Sequence, residues 1–411
     1  MIPTTRSHKV QDKNPTARTA GKSWGRLIGA GLLACSVSAA YGAAELKLSD
    51  DASVTVGLGL RTSYTSTENG APNGSSYSNN FAVENARLYT TGSYGKMFKV
   101  TMNFNASGNT GSTNGAGDSL RLIDGIARAE FMPEFNIWMG RMLPPSDRAN
   151  LYGPFFTAAW AFPFIAQNYP ASTAGRDTGV MVWGDTFGGK FSYSGGVFNG
   201  HNRQATLSNQ SDNPLYAGRL EVNFWDPQTG YYRDGTYFGS KDVLALAVAG
   251  FSQSNGVGTA AAPGNLKIWS VDGFFEKKLA GDYVPTFEAI YYRYDLGAVD
   301  CGSGEPGAPV CTGGGGDNIG GQVAGKSYIA TGAFLFPQKF YYGQFQPFLR
   351  YQRYNRDVSQ TTSKVSELGL NYIIKGPNAK VSLVYSKFDD SRLAPAQTGA
   401  KQIVLGVQLQ Y

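Results

Sequence analysis

The side chains that could do chemistry in this chain are few, and their spacing argues against catalysis. Of the two histidines, only His201 lies beyond the first 44 residues, and it stands in an Asn- and Ser-rich stretch. A single histidine cannot supply a His-based metal centre, and no Ser-His-Asp grouping can be built around it. The run GGGG at 313–316 lacks the Lys-Ser/Thr that follows in a phosphate-binding loop. We therefore expect no enzyme, no cofactor and no bound metal.

Residues 1–42 are predicted to be a secretory signal peptide with a long basic start. Basic residues extend to Arg26, the apolar stretch LIGAGLLACSVSAA follows at 27–40, and small residues precede Ala44. This order predicts cleavage near Gly42 or Ala44 and leaves residues 43–411 as a single domain. Two alternatives stay open. One is a buried or amphipathic helix, and the other is a lipoprotein signal, LLAC at 32–35, in which Cys35 would carry lipid.

The other two cysteines would meet an oxidising compartment after export. Cys301 and Cys311 flank a Gly- and Pro-rich stretch, CGSGEPGAPVC. A metal site needs more ligands than this stretch offers, so we expect a disulfide that closes the loop.

The net charge gives no support for nucleic-acid binding. The whole chain has a formal charge of +6, but residues 1–44 contain six basic residues and one acidic residue. The remainder is close to neutral, at about +1, so any preference for anions must come from where its charges sit. We expect no nucleic-acid partner.

Apolar and polar side chains alternate along most of the chain, which predicts strands with two different faces. In the last segment, 402–411, the odd positions are apolar, the even positions include three Gln, and a Tyr ends the chain. Charged residues make up 16%, beside 53 Gly, 24 Tyr and 24 Phe. No apolar run reaches the roughly 18 residues of a transmembrane helix. These features predict an all-β fold, a transmembrane antiparallel β-barrel whose apolar face contacts lipid.

Clusters of Gly, Pro and Asn divide the chain into 16 predicted strands. An even number brings both termini to one side, and closure of the sheet pairs every backbone group in lipid. Connections after odd-numbered strands are mostly long and those after even-numbered strands mostly short, as expected for external loops and periplasmic turns. The predicted strands are 52–64, 81–92, 96–107, 118–131, 135–142, 176–184, 189–199, 214–225, 241–254, 265–278, 283–297, 325–337, 341–355, 361–375, 378–389 and 400–411.

Two connections depart from a plain barrel. Residues 143–175, after strand 5, are rich in aromatic residues, and we predict that this loop folds inward and narrows the pore. The alternative is that it packs on a neighbouring subunit or over the barrel mouth. Residues 226–240 are the exception among the short turns. Because no separate plug precedes the first strand, the inward loop is the one predicted obstruction of the channel.

Seven short segments resemble the phosphate-selective porin family (porins O and P), and they occur in the same order as in that family. The resemblance spans about residues 81–411 and implies a 16-stranded barrel with a water-filled pore, usually a trimer. The terminal strand resembles the insertion signal of outer-membrane barrels, with Tyr411 as its aromatic end. The segments are ENARL at 84–88, RDTGV at 176–180, GVFNG at 196–200, AGRL at 217–220, QPFLRY at 346–351, ELGLNY at 367–372 and NAK at 378–380.

Because side chains alternate between the two faces of a strand, the positions of charged residues along each strand predict which of them line the pore. Phosphate selectivity would need a dense ladder of Arg and Lys, yet carboxylates are interleaved with the cations here. Each Arg is therefore either half of a structural salt bridge or a rung that attracts anions at the constriction. Arg141 and Arg148, near the predicted narrowing, are the strongest candidates for function. The full set is Arg87, Lys99, Asp124, Arg128, Glu130, Arg141, Arg148, Arg219, Glu221, Arg350 and Glu367.

Together these patterns predict an outer-membrane porin for passive diffusion of small hydrophilic solutes or ions, with a modest preference for anions. The alternatives are a plugged structural or adhesive barrel and an outer-membrane hydrolase. The predicted partners are outer-membrane lipid, solutes or anions in transit, two further copies in a homotrimer, and the assembly machinery that recognises the C-terminal strand.

Overall fold

The computed structural model describes residues 36–37, 44–106, 120–163, 166, 175–205, 207–296, 324–357, 360–391 and 398–411. Contacts divide the chain into two units, Met1–Ser36 and Val37–Tyr411. Apart from the two-residue strand Ser36–Val37, the predicted signal peptide with Cys35 lies outside the described residues. The predicted disulfide between Cys301 and Cys311 also lies outside them.

Antiparallel strands form a closed sheet, in which 16 long strands follow one another in chain order. The last long strand pairs with the first, in a register that runs from Gln402 opposite Thr67 to Gln410 opposite Gly59. The predicted 16-stranded antiparallel barrel is therefore confirmed. The strands are β1 (Ala52–Thr67), β2 (Ser78–Tyr94), β3 (Phe98–Ala106), β4 (Arg121–Met132), β5 (Phe135–Met142), β6 (Asp177–Thr186), β7 (Phe191–Phe198), β8 (Leu215–Asn223), β9 (Val243–Gly258), β10 (Pro263–Glu276), β11 (Val284–Asp295), β12 (Gly325–Leu335), β13 (Gly343–Arg356), β14 (Thr362–Lys375), β15 (Ala379–Asp390) and β16 (Ala400–Gln410).

Short pieces of secondary structure complete the described chain. The strand Ala44–Lys47 pairs with β1, and Lys339–Phe340 pairs with β13. The helix α1 spans Arg148–Tyr152, within the connection between β5 and β6. Among the described residues, no helix is both long enough and apolar enough to cross a membrane.

Side chains alternate between the two faces of the barrel as the sequence predicts. In β3, Phe98, Val100 and Met102 are exposed by 56%, 53% and 43%, whereas Thr101 is exposed by 7%. An Arg or Lys on the lipid face would cost roughly 2–4 kcal/mol near the midplane of the bilayer, which fixes this register. The apolar side chains therefore form the outer, lipid-facing surface, and the polar side chains line the interior.

Aromatic side chains are concentrated at the end of the barrel where the short turns lie. Phe187, Tyr341 and Tyr342 in these turns are exposed by 83%, 81% and 83%. Phe131 and Phe135 flank the turn between β4 and β5, with ring centroids 5.8 Å apart. Aromatic rings are favoured at the level of lipid headgroups, so this girdle marks one membrane interface.

Candidate functional site

The interior of the barrel is crossed by residues 143–163, which we call the inward loop. At its start, Asp147 caps α1 by accepting a hydrogen bond of 3.1 Å from the backbone N–H of Asn150. Gly153, at a φ of 63°, ends the helix and turns the chain. The Tyr292 hydroxyl donates to the same Asp147 carboxylate at 2.9 Å. The Tyr152 hydroxyl donates to Glu288 at 3.1 Å, so two side chains of β11 hold this helix.

Beyond the helix, the inward loop is held by hydrogen-bond donors on the barrel wall. The loop has no ladder partner, so its buried carbonyl groups must find other donors. Side chains from consecutive strands at the end and the start of the sheet provide them. Asn371 donates to the carbonyl oxygen of Ala158 at 2.7 Å, Lys380 to Thr157 at 2.9 Å, Gln408 to Phe155 at 2.8 Å, Arg61 to Trp160 at 2.5 Å and Arg350 to Ala161 at 2.6 Å.

Two wall glycines make room for the aromatic side chains of this loop. A Cβ atom at Gly406 would lie 2.5 Å from ring carbons of Trp160, and a Cβ atom at Gly59 would lie 2.9 Å from the ring of Phe155. Both distances are shorter than carbon contacts allow. The close approach of the loop to β16 and β1 therefore requires Gly at these positions.

Residues 226–240, here called the turn segment, also enter the interior. They connect β8 to β9 and are held by wall carboxylates. Asp185 accepts from the backbone N–H of Gly230 at 2.7 Å, Glu221 from Arg233 at 2.8 Å, and Glu276 from the N–H groups of Tyr237 and Gly239 at 3.0 and 2.9 Å. The prediction that the inward loop is the one obstruction is thus wrong. Two features of the sequence indicate that this turn enters the interior: its length and its four aromatic residues, Tyr231, Tyr232, Tyr237 and Phe238.

The inward loop and the turn segment meet inside the barrel. The backbone N–H of Gly235 donates to the carbonyl oxygen of Phe156 at 2.9 Å. The Tyr231 hydroxyl donates to the carbonyl oxygen of Leu143 at 2.7 Å. The loop follows an odd-numbered strand and the segment an even-numbered one. In an antiparallel barrel they therefore come from opposite ends.

The space left between these segments and the wall is a cavity of about 750 Å³. It is bounded by inner side chains of β2–β5, by the start of the inward loop and by the turn segment. The inner side chains of β2 are half-buried, whereas most of those on β8–β16 are buried under the two segments. Among the described residues, the open space beside the two segments therefore lies along β2–β4.

Five of the predicted pore-lining residues lie on this open side. Arg87, Asp124, Arg128 and Glu130 line the cavity, and Lys99 on β3 binds Glu130. Lys99 and Arg128 share Glu130, at 2.6 Å and 2.8 Å. Arg128 also stacks on Trp138, 4.5 Å from the ring centroid. Arg87 donates to the side-chain oxygen of Asn105 at 3.1 Å and forms no salt bridge within the described part of the chain. Its guanidinium is therefore not paired with a carboxylate of the described residues.

Other predicted pore residues form buried ion pairs beneath the segments. Arg219 binds Glu221 at 2.6 Å and Asp272 at 2.5 Å. Arg350 pairs with Glu367. Asp124 pairs at 3.0 Å with Arg176, and these two side chains line the cavity.

Arg141 and Arg148, the two strongest candidates for function, occupy different positions. Arg141 is half-buried and donates to the carbonyl oxygen of Leu122 at 3.3 Å. Arg148 has no exposed surface, stacks 3.7 Å above the centroid of Phe274 and donates to the carbonyl oxygen of Asp234 at 2.7 Å. The structure thus places Arg148 between the two inward segments and away from the cavity.

Several residues at the site were missed by the sequence analysis. Arg61 and Lys380 have the inward parity of β1 and β15, so strand periodicity could have identified them. Arg233 lies in a turn, where no periodic signal exists. Tyr411 is 59% exposed beside the end of β16. His201 is 6% exposed, and no group of three potential metal ligands occurs among the residues that the structure describes.

The closed strand ladder, the lipid-facing surface, the aromatic girdle and the inward loop define the class of protein: a transmembrane β-barrel with the architecture of porins. The same fold occurs in the anion-selective porin of Comamonas acidovorans, with a TM-score of 0.55, 14% sequence identity, and 88% of this chain and 100% of that chain covered. OmpF of Salmonella typhi in complex with daunomycin gives a TM-score of 0.58 at 12% identity, covering 89% and 100% of the two chains. OmpT of Vibrio cholerae in its trimer form gives 0.52 at 12% identity, covering 88% and 100%.

Residues 319–411 match the family model of phosphate-selective porin O and P. The resemblance to this family is therefore confirmed over the C-terminal strands, which include the segments at 346–351, 367–372 and 378–380. The four earlier segments lie outside the matched range. No curated protein sequence matches the chain.

Proposed function

We propose that this protein is an outer-membrane porin through which small hydrophilic solutes and ions diffuse passively, with a modest preference for anions. The observation that carries the proposal is the charge of the cavity along β2–β4, which is lined by five cations and three carboxylates: Arg87, Arg128, Arg176, Arg233 and Lys241, with Asp124, Glu130 and Asp234. A local excess of positive charge raises the concentration of anions at a narrow point of a pore. The anion selectivity of the similarly folded Comamonas porin is consistent with this preference.

Tight phosphate selectivity has less support. A phosphate dianion sheds its water only against several fixed donors that are free to bind it. Most inner-wall cations already have partners: Arg219 and Arg350 bind carboxylates, and Arg61 and Lys380 bind carbonyl groups of the inward loop. We therefore expect weak discrimination among small anions.

A second candidate function is a structural barrel that is closed inside. The inward loop and the turn segment favour this function, because they are joined by hydrogen bonds and together fill much of the interior. The cavity beside them favours conduction. The two functions differ in one measurable property, ion conductance.

The assembly and targeting of the chain are part of the proposal. Residues 1–42 direct export and are removed, and the C-terminal strand with Tyr411 is recognised by the barrel-assembly machinery in the outer membrane. A homotrimer is supported by the family resemblance and by the trimer form of the similarly folded Vibrio protein.

The test is a planar bilayer with a salt gradient, in which single-channel conductance and reversal potential are measured for the wild type and for Arg87→Gln. We expect a conducting channel whose reversal potential has the sign of an anion-selective pore. In Arg87→Gln this potential should shift toward zero. Lys267→Gln removes one positive charge from the outer face and should leave the potential unchanged. A wild type that inserts and does not conduct would exclude the porin and favour the closed barrel.

A further inference from the structure

We propose that the turn segment is a second constriction of the route, and that it gives the route an aromatic side which favours anions carrying a flat apolar group. The inference rests on the channel function proposed above. It concerns residues 226–240, which come from the end of the barrel opposite to the inward loop and which the family resemblance did not indicate.

The turn segment is fixed by its anchors on the wall. Glu276 is fully buried and accepts hydrogen bonds from Thr236 and Thr286, both at 2.9 Å, besides the two from backbone N–H groups of the segment. Glu221 accepts from Gln228 at 3.2 Å as well as from Arg233. A buried carboxylate is stabilised only when it has such partners. The docked position of the segment is therefore its stable position.

The inward loop braces the segment from the other side. The guanidinium of Arg148 reaches the carbonyl oxygen of Asp234 and the side-chain oxygen of Gln228, and Gly235 lies against the loop backbone. A Cβ atom on Gly235 would be 2.8 Å from the carbonyl oxygen of Phe156 and 3.1 Å from the Cα atom of Thr157. This close fit closes the space between the loop and the segment at Gly235, and the cavity that remains extends along β2–β4.

The segment presents an aromatic surface to this cavity. Tyr232 lines the cavity and is 41% exposed, although it lies inside the barrel. Its ring centroid is 5.9 Å from that of Trp138, on which Arg128 stacks. Tyr231 packs against both rings, at 5.2 Å from each. One side of the cavity thus carries Arg87 and Arg128 beside the carboxylates of Asp124 and Glu130, and the adjoining side is aromatic. Arginines next to aromatic rings match an organic anion such as an aromatic carboxylate.

The size of the constriction is tested by Gly235→Ala and by a variant in which residues 229–234 are replaced by two glycines. Single-channel conductance in concentrated KCl should rise in both variants, because the conductance of a narrow pore follows its cross-section. In Gly235→Ala the added Cβ atom forces the segment away from the inward loop. In the shortened variant the segment fills less of the pore, and we expect a rise of roughly twofold. Gly332→Ala is the matched control, since a Cβ atom there has nothing within 4 Å. If the alanine variant alone folds, a rise in its conductance still supports the proposal. Folded variants with wild-type conductance would overturn it.

The chemistry is tested by comparing benzoate with acetate as the permeating anion, from reversal potentials in gradients of their potassium salts. Tyr232→Ala should lower the permeability of benzoate relative to acetate several-fold while chloride still passes. Tyr216→Ala, at an exposed tyrosine of the outer face, should not change the ratio. An unchanged ratio in Tyr232→Ala would refute the aromatic side of the route. A wild type without conductance would instead refute the channel function itself, so the two failures are distinguishable.

Discussion

Arg148 and Asp234 join two connections that enter the barrel from opposite ends, through a hydrogen bond of 2.7 Å from the guanidinium of Arg148 to the carbonyl oxygen of Asp234. Arg148 belongs to the helix that begins the inward loop, and Asp234 lies midway along the turn segment. An arginine that a pore would use to attract anions is used here to hold the parts that narrow it.

The first prediction concerns Arg148→Gln. The variant loses charged hydrogen bonds to Asp234 and Gln228 in a buried place, so the free energy of unfolding should fall by about 2–4 kcal/mol. Current through single channels should also become noisier, because the segment is less firmly held. Arg148→Lys keeps the positive charge but replaces the forked guanidinium by a single ammonium group. Its free energy of unfolding should therefore lie between those of Arg148→Gln and the wild type. Urea unfolding in detergent and bilayer recordings give the two readouts. Equal stability of all three proteins would contradict the bracing role.

The second prediction concerns the buried group around Arg219. Arg219→Met would leave Asp272 and Glu221 buried with fewer partners, and we expect a loss of about 3–5 kcal/mol in the free energy of unfolding. Lys278→Met removes one member of an exposed pair with Asp282, whose side chains are 50% and 70% exposed, and should cost at most about 1 kcal/mol. Urea unfolding of both variants checks the contrast, and similar losses would argue against the buried placement.

The third prediction is a dependence of stability on pH through Asp234. Burial raises the pKa of Asp234 to about 6, although Arg148, Lys241 and Arg233 act to lower it. A raised pKa means that the protonated form is favoured in the folded protein. The stabilising contribution is therefore complete below about pH 4, where unfolded Asp titrates, and it is lost as the pH rises through about 6.

The measurement is the free energy of unfolding across that range for the wild type, Asp234→Asn and Asp282→Asn. Asp234→Asn should weaken the decline between about pH 4 and 6, whereas Asp282→Asn on an exposed turn should leave it as in the wild type. A decline of equal size in Asp234→Asn would assign it to another group.

The fourth prediction concerns the fit of the inward loop against the wall. Gly406→Ala places a Cβ atom 2.5 Å from the ring of Trp160, so the ring or the loop must move. We expect a loss of about 1–3 kcal/mol in the free energy of unfolding, together with altered conductance. Gly92→Ala, where a Cβ atom has nothing within 4 Å, should be neutral in both measurements. Proteolysis is a further check, because the inward loop should be cleaved more readily in Gly406→Ala than in Gly92→Ala.

The fold could be predicted because lipid and water impose opposite demands on adjacent residues. Phe98, Val100 and Met102 must face lipid while Thr101 must not, so the pattern that reports a strand also reports its orientation. Turn residues then divide one strand from the next. Turn residues are not under this constraint. The predicted strand ends therefore differ from the structure by a few residues, as at β2 and β9.

The site could be predicted less completely, because parity places a charge inside the barrel without saying what covers it. Arg87 and Arg350 have the same inward parity, yet Arg87 stays on the open side and Arg350 donates to a loop carbonyl 189 residues away in sequence. That difference depends on where the two inward segments dock. Contacts over such sequence separations leave no local periodicity to read.

The inward loop also bears on how the sheet is closed. β1 and β16 lie at opposite ends of the sequence and meet at one seam. Arg61 on β1 and Gln408 on β16 both donate to the loop, and Gly59 and Gly406 on the same two strands admit its aromatic rings. The loop thus forms an internal clasp across the joint between the first and last strands. We therefore expect docking of the loop to stabilise the closed barrel, so a variant that weakens these contacts should first lose the pairing of β1 with β16.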